Sequence, residues 1–140
     1  MKLITHNILM CNKKGCTTNN FPLKIVCNKV EMYQEEATMA YSKNLMQRLL
    51  EKLDLPALKI TLDQLNWQDV RPLFPTPEMM ADPGSVDVAV LREDEEFLTN
   101  LHEICCKRHI TEGQLICPNC ERSYEIKTGI VNMLLNEDEV

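Results

Sequence analysis

Two short cysteine steps at opposite ends of the chain constrain its fold more than any other feature. Cys117-Pro118-Asn119-Cys120 sets two thiols around a proline turn, with two residues between them. Cys11 and Cys16 form the other step, with four residues between them. Both intervals suit a zinc knuckle, because a short turn lets two sulfurs reach one ion at about 2.3 Å without strain. Two such steps supply a complete tetrahedral set, so Cys11, Cys16, Cys117 and Cys120 are expected to hold one structural Zn2+. Such sites contribute about 10–16 kcal/mol in small peptides near neutral pH, enough to hold together two distant ends of a chain. Everything between the ends then becomes an insertion.

A redox reading of the second step is weaker. Reactive dithiols sit at helix N-termini, where the thiolate is stabilised. Here Tyr124 and Ile126 alternate with polar residues and Gly129 follows, which is strand chemistry. Residues 1–6 lack the apolar run of a secretory signal, and no window approaches the ~18–20 apolar residues needed to span a bilayer. Seven cysteines in such a chain are expected to stay reduced, which favours metal over disulfides and a cytoplasmic and nuclear location.

With 140 residues, 44% hydrophobic and 26% charged, the chain has the makings of a buried core and not of a disordered segment. A net charge of −6 with 5% aromatics argues against a nucleic-acid-binding zinc ribbon, the main rival function, because such a module needs clustered cations and stacking rings.

Along the chain, residues 2–10 read as a strand with Leu3, Ile4, Ile8, Leu9 and Met10 apolar. Lys13 and Lys14 lie inside the first knuckle, where cations offset the negative charge of a tetrathiolate or simply face solvent. Residues 23–30 alternate at strand period through Leu23, Ile25 and Cys27, the last a small buried hydrophobe. Residues 31–36 continue extended or turn. From Ser42, a suitable N-cap, the period becomes helical through Leu45, Met46, Leu49, Leu50 and Leu53. Pro56 suits the first turn of a second helix carrying Leu58, Ile60, Leu62, Leu65 and Trp67.

Prolines 72, 75, 77 and 83 mark an extended surface connection over residues 72–83. The acidic run 92–96 suits a helix start, followed inward by Phe97, Leu98, Leu101, Ile104 and Cys105 to about His109. Of the adjacent Cys105 and Cys106, one is expected in the core and the other partly exposed. Glu112-Gly113 reads as a turn, residues 114–116 and 121–127 as strands, Thr128-Gly129 as a turn and 130–135 as an apolar strand or extended tail. His6, His102 and His109 are scattered, no nucleophilic triad is visible, and 4 glycines leave no glycine-rich cofactor loop. Nothing in these residues marks an enzyme.

The stretch from Met1 to Leu9, the Phe21-Pro22-Leu23 step, Glu112 to Cys120 and Gly129 to Leu135 together resemble the multifunctional methyltransferase subunit, or tRNA methyltransferase 112-like, family. The resemblance runs end to end and is most specific at the termini. It implies an α+β fold: a small antiparallel-sheet zinc-knuckle domain built from both termini (1–37 and 111–140), with a central helical subdomain inserted at 38–110. It also implies a non-catalytic subunit that activates class I S-adenosylmethionine-dependent methyltransferases of tRNA, rRNA and the translation termination (release) factor. The partners are joined as heterodimers by strand addition, and S-adenosylmethionine enters only through the partner. Cys11, Cys16, Cys117 and Cys120 match the family's zinc ligands. Val131 departs from the family motif, which carries proline there, and restores a backbone N–H.

Tyr124, Ile126, Ile130, Met133, Leu134 and Leu135 crowd more apolar surface into the C-terminal strands than one face of a small sheet covers. Either all of it packs on the 2–10 strand and the helices, or some stays open to a partner; the resemblance favours the second, so these six are the expected partner-binding residues. No strong direct binding to nucleic acid and no membrane association is expected.

Overall fold

The computed structural model of the chain describes residues 1–32, 41–68, 73 and 87–137. In chain order the elements are α1 (Leu3–His6), β1 (Lys24–Met32), α2 (Lys43–Lys52), α3 (Leu55–Leu65), α4 (Val88–Leu91) and α5 (Glu95–His102). A wide π-helical turn (Glu103–Lys107) follows, then β2 (Arg108–Ile116), β3 (Ser123–Lys127) and β4 (Ile130–Val131). The strands form one antiparallel meander in the order β1-β2-β3-β4, which leaves β1 and β4 at the edges. With helices beside a four-stranded antiparallel sheet, the fold is α+β.

Local chemistry explains where the helices begin. Ser42 Oγ accepts the Leu45 N–H at 3.4 Å, Asp54 Oδ1 that of Ala57 at 3.0 Å and Asp94 Oδ1 that of Phe97 at 3.1 Å. Each cap satisfies an amide that has no partner within its helix. Glu95 and Glu96 then occupy the first turn of α5, as the acidic run leads one to expect. Asn66, left-handed at φ 49°, closes α3 one residue before Trp67, so Trp67 lies past the helix and not on it. There its ring lies 4.9 Å from the Arg108 guanidinium.

One buried cluster runs through the fold. It takes Met46, Leu50 and Leu58 from α2 and α3, Leu98, Leu101 and Ile104 from α5 and the turn after it, and Ile110, Leu115, Tyr124 and Ile126 from the sheet. β3 shows the period of two cleanly, with Tyr124 and Ile126 buried between exposed Ser123, Glu125 and Lys127. The hairpin from β3 to β4 closes through Thr128 and Gly129, at φ 48° and 79°. Two successive positive φ values match the twist of a two-residue hairpin loop.

Several expectations give way. Residues 2–10 form no strand. Leu3 and His6, three apart, are both buried on one face of a helical turn, while Ile8 and Met10 face solvent at 69% and 52% exposure. His6 is the reason, since its Nε2 donates to the Leu23 carbonyl at 2.7 Å and burial keeps its pKa low, so a polar residue points inward. Helical structure ends at Lys107 and His109 lies in β2, which starts well before residue 114. Cys105 and Cys106 are both buried, with none of the expected partial exposure for one of them, because the wide turn brings both against the core. The expected connection over 72–83 lies outside the described residues, Leu73 excepted, and so does the chain from 33 to 36. Among the described residues, no helix is long and apolar enough to cross a membrane.

Glu112-Gly113 is not a turn but the middle of β2, pairing with Lys29 and Cys27 beside an irregularity in β1. A Cβ on Gly113 would lie 2.1 Å from the Val26 carbonyl oxygen, a backbone atom that cannot swing aside. Glycine is needed there for close approach. Gly113→Ala is therefore expected to lower stability by about 3 kcal/mol or more in urea denaturation. An unchanged midpoint would contradict the register described for β1 and β2.

Candidate metal centre

The first knuckle lies between α1 and β1, and the second is the link between β2 and β3. Asn20 shapes the first: its Nδ2 donates to the Cys11 and Cys16 carbonyls at 3.0 and 3.1 Å, while its own carbonyl accepts the Cys11 N–H at 3.1 Å. Gly15, at φ 84°, supplies the left-handed step that brings Cys16 round. The second closes when Cys117 N–H donates to the Arg122 carbonyl and Glu121 N–H to the Cys117 carbonyl, both at 3.0 Å.

These turns bring four sulfurs together, all within 4.8 Å of one another. The close pairs are Cys11 with Cys120 and Cys16 with Cys117, each at 3.6 Å. A disulfide requires about 2.05 Å, so these are free thiols. Sulfurs held about 2.3 Å from a central ion stand about 3.8 Å apart in a tetrahedron, close to the 3.6 Å of the two near pairs. Cys11, Cys16 and Cys117 are buried and Cys120 half-buried, so the four donors could hold a metal largely out of water.

The surroundings supply donors to sulfur. The N–H groups of Asn119 and Cys120 point to Cys117 Sγ at 3.3 and 3.4 Å, and Asn119 Nδ2 points to Cys16 Sγ at 3.3 Å. Burial works against a Cys117 thiolate, but hydrogen bonds from the amides of Cys120 and Asn119 and from the Cys16 and Cys120 thiols together bring its pKa down to about 7. Burial and the hydrogen bonds from the neighbouring thiols push Cys120 the other way, to about 12. One anion thus forms readily and the next is resisted. A cation among the four sulfurs removes that conflict. Tyr124, wholly buried, sets its hydroxyl 3.1 Å from Cys11 Sγ, and burial followed by that contact raises its pKa to about 12.

The family model for Trm112p-like proteins matches residues 2–129. This chain belongs to that family. It is 36% identical over 140 residues to the multifunctional methyltransferase subunit TRM112 homolog A of Arabidopsis thaliana, covering all of both proteins. Identity to the multifunctional methyltransferase subunit trm112 of Schizosaccharomyces pombe is 36% over 142 residues, again covering both in full. Identity to the TRM112 subunit of Saccharomyces cerevisiae is 31% over 137 residues, with 96% of each covered. Among solved structures, the fold matches a chain of the E. cuniculi Mtq2–Trm112 complex, which methylates the translation termination factor eRF1. There the TM-score is 0.53 at 20% identity, with 96% of this chain and 95% of that one covered.

The four cysteines expected to share a metal are brought together. The six residues expected on a partner surface divide. Tyr124 and Ile126 are core residues at 0% and 1% exposure, because the period of two in β3 turns both inward, so they offer no surface in the free chain. Met133 and Leu135 are half-buried against the core, while Ile130 and Leu134 are 71% and 80% exposed. Sequence reasoning missed the polar residues around the cysteines. Asn119, between the ligands of the second knuckle, and Asn20, just past the first, carried a positional signal. Tyr124 carried none, because its contact with Cys11 spans 113 positions.

Cys117→Ser removes the sulfur on which two backbone amides converge. The purified wild type is expected to carry stoichiometric metal, and the variant to lose it to a mild chelator and unfold at lower denaturant. A variant that kept its metal under the same conditions would contradict a four-sulfur site.

Proposed function

We propose that this chain is a non-catalytic subunit that activates and stabilises S-adenosylmethionine-dependent methyltransferases acting on tRNA, rRNA and the translation termination factor. The observation that carries this reading is end-to-end likeness, at 36% identity with full coverage, to a protein named as a multifunctional methyltransferase subunit. In this reading S-adenosylmethionine and the methyl-transfer chemistry belong to the partner, a class I methyltransferase bound as a heterodimer in the cytoplasm and nucleus.

The metal is zinc. Four sulfurs within 4.8 Å of one another suit that ion, and a site closed by four protein ligands leaves no position for substrate. Zinc here would link residues 1–37 to 111–140 as one unit around the inserted 38–110.

The partner adds a strand at the β4 edge. β4 is two residues long and ends the sheet, and among the described residues no strand lies beyond it, so an incoming strand could pair there. Ile130 and Leu134, exposed beside that edge, would anchor it. Main-chain pairing of this kind tolerates many partner sequences, while side-chain pockets set preference.

Ile130→Asp and Leu134→Asp test this without disturbing the core, since both side chains are exposed. Each is expected to weaken association with a co-expressed methyltransferase from the same cell by on the order of 2 kcal/mol, about 30-fold, leaving metal content and circular dichroism unchanged. Retention of the partner by both variants would contradict docking at this edge.

A further inference from the structure

The segment following β4 is tied to the cysteine cluster by a short polar chain. The Leu134 carbonyl accepts from Arg122 Nη2 at 3.2 Å, and the Ser123 carbonyl accepts from Arg122 Nη1 at 2.7 Å. The guanidinium carbon also lies 4.3 Å from the centre of the Tyr124 ring, within the range of a cation–π contact. At the far end of that ring the hydroxyl stands 3.1 Å from Cys11 Sγ and 3.2 Å from Asn12 Oδ1, and it accepts the Asn12 N–H at 3.4 Å. Two further bonds shape the segment itself, Asn132 N–H to the Glu125 carbonyl at 2.9 Å and Leu134 N–H to Asn132 Oδ1 at 3.0 Å. With its side chain 80% exposed, Leu134 is held by these polar contacts and not by packing.

The hydroxyl has one proton and two acceptors in reach. A metal-bound sulfur accepts and does not donate, and the hydroxyl stands where it can give its proton to Cys11 Sγ. Bonds of this kind orient a metal ligand and tune its basicity, and their loss typically costs 10–100-fold in metal affinity. Here the donor's ring also carries the cation that grips the C-terminal segment.

We propose that Tyr124 and Arg122 are positioning residues that couple a metal at the four cysteines to the placement of the segment from Ile130 to Leu135. The proposal rests on the metal reading above. It assigns Tyr124 a role although the residue is buried and unable to touch a partner. It also makes metal occupancy a determinant of how the exposed Ile130 and Leu134 are presented.

The test uses the full chain loaded with zinc, with competition against a chromogenic chelator for affinity and amide hydrogen exchange at Asn132 and Leu134 for the segment. Tyr124→Phe keeps the ring and its packing, and is expected to bind zinc about tenfold more weakly and to exchange faster at both amides than the wild type. Arg122→Gln is expected to keep wild-type zinc affinity while both amides exchange several-fold faster and no amide of β2 changes. Should Tyr124→Phe fail to fold, Arg122→Gln still decides, because partial removal of zinc must speed the two amides in the wild type but not in that variant. A wild-type chain that holds no zinc would overturn the metal reading and this coupling with it. Zinc-loaded variants that match the wild type in affinity and exchange would overturn the coupling alone.

Discussion

Four sulfur atoms from positions 11, 16, 117 and 120 meet within 4.8 Å of one another, and the rest of the structure is arranged around that meeting. Bringing together groups more than a hundred residues apart carries a large loop-closure cost in the unfolded chain. Hydrophobic burial offsets part of that cost, since β2 and β3 place Leu115, Tyr124 and Ile126 in the core on either side of the second knuckle. The remainder falls to the cluster itself. Four thiols confined at 3.6 Å and beyond resist ionising together, because each thiolate disfavours the next. A bound cation would turn that repulsion into a link between the chain's two ends.

Other polar contacts support the same junction. Asn7 is buried, with its Oδ1 accepting the Asp54 N–H at 2.8 Å and its Nδ2 donating to the Asp54 carbonyl at 3.1 Å. That two-point grip fixes the segment before Cys11 against the junction of α2 and α3, at the residue whose side chain caps α3. His6 holds the Leu23 carbonyl in the same way, one residue ahead of β1. His6 and Asn7 therefore serve as internal scaffolding. Their polar groups are spent on backbone partners, which is how buried polar side chains avoid a desolvation penalty. α1 packs against the wide turn at Glu103–Lys107, so the N-terminal segment touches the helical section as well as the knuckles.

What could be read in advance was what depends on near neighbours. Cysteine spacing picked out the four residues that cluster, caps at Ser42 and the acidic run before Phe97 located helix starts, and alternation at Tyr124 and Ile126 marked β3. Long-range pairing was hidden. Gly113 looks like a turn residue, and its real constraint is the Val26 carbonyl on a neighbouring strand. Residues 2–10 look extended because their apolar content is high, yet the inward positions are set by His6 and its distant acceptor. Likewise, counting apolar residues at the C-terminus could not separate Tyr124 and Ile126, which complete the core, from Ile130 and Leu134, which project beyond it.

On the metal reading proposed above, one ion joined to all four cysteines holds the two ends of this chain together. X-ray absorption at the zinc edge of the freshly purified protein should then give a single shell of four sulfur scatterers at about 2.3 Å, with no shorter nitrogen or oxygen component. A mixed shell of sulfur with nitrogen or oxygen, or a zinc signal below one ion per chain, would contradict it.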